Sequence, residues 1–90
     1  MSYCVIIPFF DERRFIAEVV SKSLKYCESV IAIDDGSTDG GAELIKHFSG
    51  VEVVRIEINS GKGNALKTGF LRALERGFSR VITLDGDLQH

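Results

Sequence analysis

The pattern of hydrophobic and polar positions switches between two periods along the chain. Tyr3-Cys4-Val5-Ile6-Ile7 is an apolar run ended by Pro8, which predicts a short buried strand. Ile16, Val19, Val20, Leu24 and Cys27 then recur at helical spacing, with Asp11 placed to cap the start of that helix. Val30-Ile31-Ala32-Ile33 is a second apolar strand, halted by Asp34-Asp35-Gly36-Ser37. Leu44, Ile45 and Phe48 mark a short helix that Gly50 closes. Val51 to Ile58 alternates apolar with charged positions, as a half-exposed strand near a sheet edge does. Beyond the loop Asn59-Ser60-Gly61-Lys62-Gly63, residues Leu66, Phe70, Ala73, Leu74 and Phe78 make the apolar face of a third helix. Arg80 to Leu84 is a fourth strand, followed at once by Asp85-Gly86-Asp87.

This order, βαβαβαβ, predicts an α/β fold in which crossovers build a parallel sheet with helices on its faces. The first, second and fourth strands are nearly all apolar, as central parallel strands are. The expected architecture is a three-layer, Rossmann-like half-domain with strand order 3-2-1-4 and its switch point between strands 1 and 4.

A chain of 90 residues holds one domain. Eleven basic against thirteen acidic residues exclude a strongly basic nucleic-acid binder. The charge is uneven: residues 1–45 carry eight acids and four bases, residues 46–90 five acids and seven bases. The second half is therefore the expected place for a phosphate. No apolar run approaches the roughly 20 residues of a membrane span, and the start lacks the basic region of a signal peptide. A cytoplasmic location is expected. Cys4 and Cys27 form neither a metal spacing nor a disulfide framework and read as two small buried thiols.

In an open parallel sheet, ligands bind beyond the carboxyl ends of the strands. Those ends carry Pro8 to Glu12, Asp34 to Ser37, Asn59 to Gly63, and Asp85 with Asp87. Asp85-Gly86-Asp87 suits a turn, and it equally suits two carboxylates converging on one hard cation that also holds a diphosphate. Asp34 to Gly40 reads as a turn with Ser37, Thr38 or Asp39 capping a helix, or as a loop that gives Asp35 a nucleobase N–H. Gly61-Lys62-Gly63 opens a helix, either as a plain turn or as an anion site with an added charge. No Ser/His/Asp or Cys/His nucleophile arrangement is suggested.

Together these segments resemble the family 2 glycosyltransferases of the GT-A fold. Ile7-Pro8-Phe9-Phe10-Asp11-Glu12 is similar to their IP-x-[YF]-N-E opening. Ile33 to Gly40 (IDDGSTDG) resembles V-D-D-G-S-x-D-G, and Asn59 through Gly69 resembles N-x-G-K-G-x-A-x-x-x-G. Asp85-Gly86-Asp87-Leu88-Gln89-His90 resembles D-A-D-L-Q-H, the form of the dolichol- or polyprenyl-phosphate sugar transferases. The resemblance spans the whole chain and implies the N-terminal nucleotide-sugar-binding portion, residues 1–90, of a truncated GT-A domain. It implies that Pro8, Phe10 and Glu12 line the nucleoside pocket, that Asp35 meets the base, and that Lys62 and Gly63 lie beside the nucleotide. Asp85 would approach nucleotide and metal, and Asp87 and Gln89 would complete the site for Mg²⁺ or Mn²⁺.

The implied activity is transfer of a hexose from a GDP- or UDP-sugar to a polyprenyl phosphate, with the full-length parent at the cytoplasmic face of a membrane. The family's domain continues past His90, so the 90-residue chain is expected to bind nucleotide weakly and not to transfer sugar. Two positions depart from the family pattern: Asp11 stands for Asn, and Gly41 for Thr, which weakens the start of the second helix. A bare, apolar fourth strand (Val81, Ile82, Leu84) predicts a homodimer through that edge. The competing reading is a non-catalytic, self-assembling α/β fragment without nucleotide binding. A nucleotidyltransferase would carry a Gly-rich phosphate loop where Pro8 to Glu12 stand.

Overall fold

The computed structural model describes residues 3–86. Asp87 and Gln89, two of the expected metal ligands, lie outside the described residues. Seven elements alternate: β1 (Tyr3–Phe9), α1 (Arg13–Leu24), β2 (Val30–Asp35), α2 (Gly41–Ile45), β3 (Val51–Ile56), α3 (Lys62–Glu75) and β4 (Arg80–Thr83). All strand pairs are parallel, and the sheet runs β3-β2-β1-β4. This is the Rossmann-like α/β half-domain that the sequence predicts.

Strand alternation divides the core in two. Val5, Ile7 and Phe9 of β1, with Val30 and Ala32 of β2, pack under α1 and α2. Cys4, Ile6, Ile31 and Ile33 pack under α3. β1 and β2 are therefore buried on both faces, which is why their sequences are continuous apolar runs. β3 is a half-exposed edge, and Ile58, expected at its end, lies beyond the strand and is exposed.

Four local expectations are corrected. Pro8 does not end β1, because the strand runs on through Phe9. The Val5 N–H bonds toward β2 at Ser29, and the Ile6 carbonyl accepts from Leu84 on the β4 side. By that alternation the N–H missing from Pro8 would face β4, which has already ended at Thr83, so the ladder loses nothing there. β2 likewise extends through Asp34 and Asp35. Gly50 does not close α2, which ends five residues earlier at Ile45. Gly50 instead adopts a left-handed φ of 90° where a Cβ would lie 2.5 Å from the Glu28 carbonyl oxygen, and its own carbonyl accepts from Val30.

The fourth correction concerns α3. Of the expected face Leu66, Phe70, Ala73, Leu74 and Phe78, Ala73 is buried and Leu66 and Phe78 pack partly buried against the core, but Phe70 and Leu74 do not belong to it. The buried residues are Ala65, Gly69 and Ala73. The helix lies so close to β1 that a Cβ on Gly69 would stand 2.5 Å from Cγ2 of Ile6. Small residues permit that approach, and the large ones are displaced to the flank: Leu66 is partly buried, while Phe70 and Leu74 are exposed. The opposite flank is tied to β3, where Glu52 accepts from Arg72 Nε at 2.6 Å and also pairs with Arg76. Glu52 and Glu75 hold the Arg72 pKa above its ordinary value.

Both cysteines are free and buried, as expected. Burial pushes the Cys4 thiol up, Cys27 adds to the rise, and Arg76 opposes it. No helix among the described residues is long and apolar enough to cross a membrane.

Replacement of Gly69 tests the close approach. Gly69→Val should lower stability by about 1–3 kcal/mol through overpacking against Ile6, read as a fall in the urea midpoint. An unchanged midpoint would show that α3 does not pack on its small-residue face.

Candidate functional site

The loops at the carboxyl ends of β1 and β2 are fastened to each other before they present anything to a ligand. Asp11 sits at φ 51°, a left-handed position that Asp and Asn tolerate. Its N–H donates to Ser37 Oγ at 2.9 Å, and its Oδ1 accepts from the Thr38 N–H at 2.9 Å. Asp11 is thus not the cap of α1. Glu12 holds that position. The carboxylate that serves the helix starts is Asp39, whose Oδ2 accepts from Arg13 N–H (2.9 Å) and whose Oδ1 accepts from Gly41 N–H (3.0 Å). One side chain therefore satisfies a first-turn donor of both α1 and α2. The N-cap position of α2 is Gly40, in the left-handed region.

The two carboxylates that end β2 point to opposite faces of the sheet. Asp34, 1% exposed, accepts from the Ser37 N–H at 2.8 Å and from Arg55 Nη1 at 2.7 Å. Arg55 also donates to the Ser37 carbonyl, so the pair closes the β2–α2 turn from β3. Asp35, 3% exposed, turns the other way. Its Oδ1 accepts from the N–H and hydroxyl of Ser60 (2.9 and 2.8 Å). Its Oδ2 accepts from Gly61 N–H (2.9 Å) and Asn59 Nδ2 (3.2 Å). Asn59 Nδ2 also donates to the Asp35 carbonyl.

Between the ends of β1, β2 and β4 and the start of α3 lies a cavity of about 360 Å³, within the usual range for a small-ligand site. Six expected residues line it: Pro8, Phe10, Glu12, Asp35, Lys62 and Asp85. Gly63, in the first turn of α3, is not on the lining. Asn59 and Gly61 join from the same turn. Phe9, Ala65 and Gly86 also line the cavity, and their residue types carry no ligand signal in the sequence. Packing brings them there: a Cβ on Gly86 would lie 2.8 Å from Cβ of Phe9, so the chain leaving β4 is pressed onto β1.

Lys62 and Asp85 form an ion pair at the mouth. On its other side is a smaller hollow lined by Pro8, Leu66, Thr83 and Leu84 together with the same pair. Asp85 is a half-exposed carboxylate and fits one oxygen position of a hard cation. Among the described residues no group of three or more His, Cys, Asp or Glu side chains gathers. The first turn of α3 contains no acidic residue, so Lys62 leaves the opening of that helix positive.

Residues 4–90 match the sequence model of glycosyl transferase family 2. The chain belongs to that family. Among curated relatives, an uncharacterized protein of Methanocaldococcus jannaschii is 40% identical over 88 residues, covering 96% of this chain and 35% of the relative. An undecaprenyl-phosphate 4-deoxy-4-formamido-L-arabinose transferase of Proteus mirabilis is 31% identical over 97 residues, covering 96% of this chain and 29% of its own length. The transferase of the same name from Edwardsiella ictaluri is 32% identical with the same coverage. The chain spans about a third of the length of the curated relatives it matches.

Within the family 2 frame, Asp in place of Asn at position 11 keeps what the turn uses: a left-handed backbone and an acceptor oxygen. Asp11→Asn should leave the melting temperature nearly unchanged. Asp11→Ala should cost about 1–2 kcal/mol, from the lost acceptor for Thr38 and the positive φ. Equal losses in the two variants by thermal melting would contradict this role.

Proposed function

We propose that this family 2 glycosyltransferase chain is the donor-binding portion, residues 1–90, of a metal-dependent enzyme that moves a hexose from a GDP- or UDP-sugar to a polyprenyl phosphate. The observation that carries the reading is the cavity itself. It lies at the switch point between β1 and β4, where open parallel sheets bind nucleotides, and it combines aromatic and apolar walls with a cation and a carboxylate at its mouth. The polyprenyl phosphate is supported by the names of the two bacterial relatives.

In this reading Pro8, Phe10 and Glu12 hold the nucleoside, with Asp35 on the side of the base. Lys62, with Gly63 in the same helical turn, faces the diphosphate. Asp85, with Asp87 and Gln89, holds Mg²⁺ or Mn²⁺. A phosphate oxygen of the acceptor forms the new bond to the anomeric carbon as the bond from that carbon to the diphosphate breaks. The electron pair leaves with the nucleoside diphosphate. The cation supplies charge neutralisation to that leaving group, and Lys62 supplies a further positive charge. The acceptor side belongs to the full-length parent, at the cytoplasmic face of a membrane.

A thermal-shift titration with GDP, UDP and their sugars, in Mn²⁺ and in EDTA, tests the reading. A ligand at 100 times its Kd adds about 2.7 kcal/mol, roughly a 10 °C shift or more for a domain of this size. A shift with one nucleotide that EDTA abolishes is expected. No shift with any of them would favour a self-assembling fragment without nucleotide binding.

A specific observation supports self-association beside donor binding. All four residues of β4 are exposed, Val81, Ile82 and Leu84 are apolar, and among the described residues no strand pairs with the outer edge of β4. We infer a homodimer that joins β4 to β4 antiparallel across a two-fold axis. Sedimentation should show a concentration-dependent dimer that Ile82→Lys shifts to monomer. A wild-type monomer at high concentration would refute it.

A further inference from the structure

Lys62 is the first residue of α3, and Asp85 lies just beyond the end of β4. Their ion pair joins the two elements across the crevice. Both side chains line the 360 Å³ cavity, and both also line the smaller hollow of about 220 Å³ beside it. Pro8 is the other wall that the two spaces share. The pair is therefore a bar between two halves of one crevice. Nothing acidic stands in the first turn of α3, so the helix start and the Lys62 ammonium draw Asp85 together. The bar is also weak. Its side chains are 61% and 47% exposed, and an exposed pair opens at a cost of roughly twofold to fivefold in an equilibrium.

We propose that the Lys62–Asp85 pair is a latch that admits a divalent cation and a diphosphate together and resists either one alone. Lys62 holds the carboxylate that a cation would take, and Asp85 holds the ammonium that a diphosphate would take. A cation arriving alone displaces Lys62 and leaves its ammonium beside a like charge. A diphosphate arriving alone displaces Asp85 and leaves its carboxylate facing phosphate oxygens. When both arrive, each side chain exchanges one opposite charge for another, and neither is left uncompensated. Opening the bar also joins the smaller hollow to the cavity. This inference rests on the reading of the cavity as a nucleotide site.

Mn²⁺ binding by the chain without nucleotide, read from the loss of the free-ion EPR signal, tests one side of the latch. Lys62→Gln should tighten it by roughly twofold to fivefold, because Asp85 no longer has to be released. Lys67→Gln removes the same charge from an exposed position of the same helix and should stay close to wild type. Unchanged or weaker Mn²⁺ binding in Lys62→Gln would overturn the proposal, as would an equal gain in Lys67→Gln. Calorimetry with GDP and UDP in EDTA tests the other side. Asp85→Asn should tighten nucleotide binding by a similar factor in the wild-type background and give no gain in the Lys62→Gln background. A gain that persists in the double variant would be plain repulsion between Asp85 and the diphosphate, and would overturn the latch. Failure of the wild type to bind either nucleotide with Mn²⁺ would sink the donor-site reading, whereas the Mn²⁺ gain in Lys62→Gln reports on the hold over Asp85 independently.

Discussion

The pair of buried carboxylates at the end of β2 is the constraint on which the rest of the site depends. Side chains alternate along a strand, so consecutive aspartates must face opposite layers. Asp34 is sent toward the layer of α1 and α2 and fastens the turn that follows its own strand, with Arg55 of β3 as counter-charge. Asp35 is sent toward the layer of α3 and fastens the turn that begins that helix. A buried carboxylate without partners would be strongly destabilising. Each is stable only because a loop wraps it, and each loop is ordered because it wraps a carboxylate. The geometry of the rim follows from two residues in the middle of the sheet.

The same logic extends outward. Once the β2–α2 turn is set, Ser37, Thr38 and Asp39 hold the β1–α1 turn through Asp11 and Arg13. Asp11, Asp34, Asp35 and Asp39 therefore all hold backbone in place. Asp85 on the cavity wall lies half in solvent and pairs with Lys62.

Much of this was legible in the sequence. Apolar runs of strand length, separated by helical spacing, were enough for the order of elements and the sheet order, because crossover handedness leaves few alternatives. Six of the residues expected at the cavity are there, since the carboxyl ends of the strands can be read directly. What escaped depended on distances. Nothing in the spacing of α3 marks Ala65 and Gly69, and not Phe70 and Leu74, as joining Ala73 on its packed face. That choice is made by how near the helix comes to Ile6. Asp11 has the chemistry of a helix cap, and its left-handed backbone and bond to Thr38 arise from a loop 27 residues away. The bonds that Asp35 accepts from Asn59, Ser60 and Gly61 belong to a turn that only folding brings beside it.

Pro8 bears on how the crevice behaves before anything enters it. Pro8 offers no N–H toward β4, which ends at Thr83, and the last bond between the two strands runs from the Leu84 N–H to the Ile6 carbonyl. β1 continues through Phe9 while β4 ends at Thr83, and the chain that follows keeps to β1 through Leu84 and Gly86 without a further ladder bond among the described residues. A ligand need not prise two hydrogen-bonded strands apart to enter. The cleft is preorganised, and the binding free energy that separation would have consumed remains available for affinity.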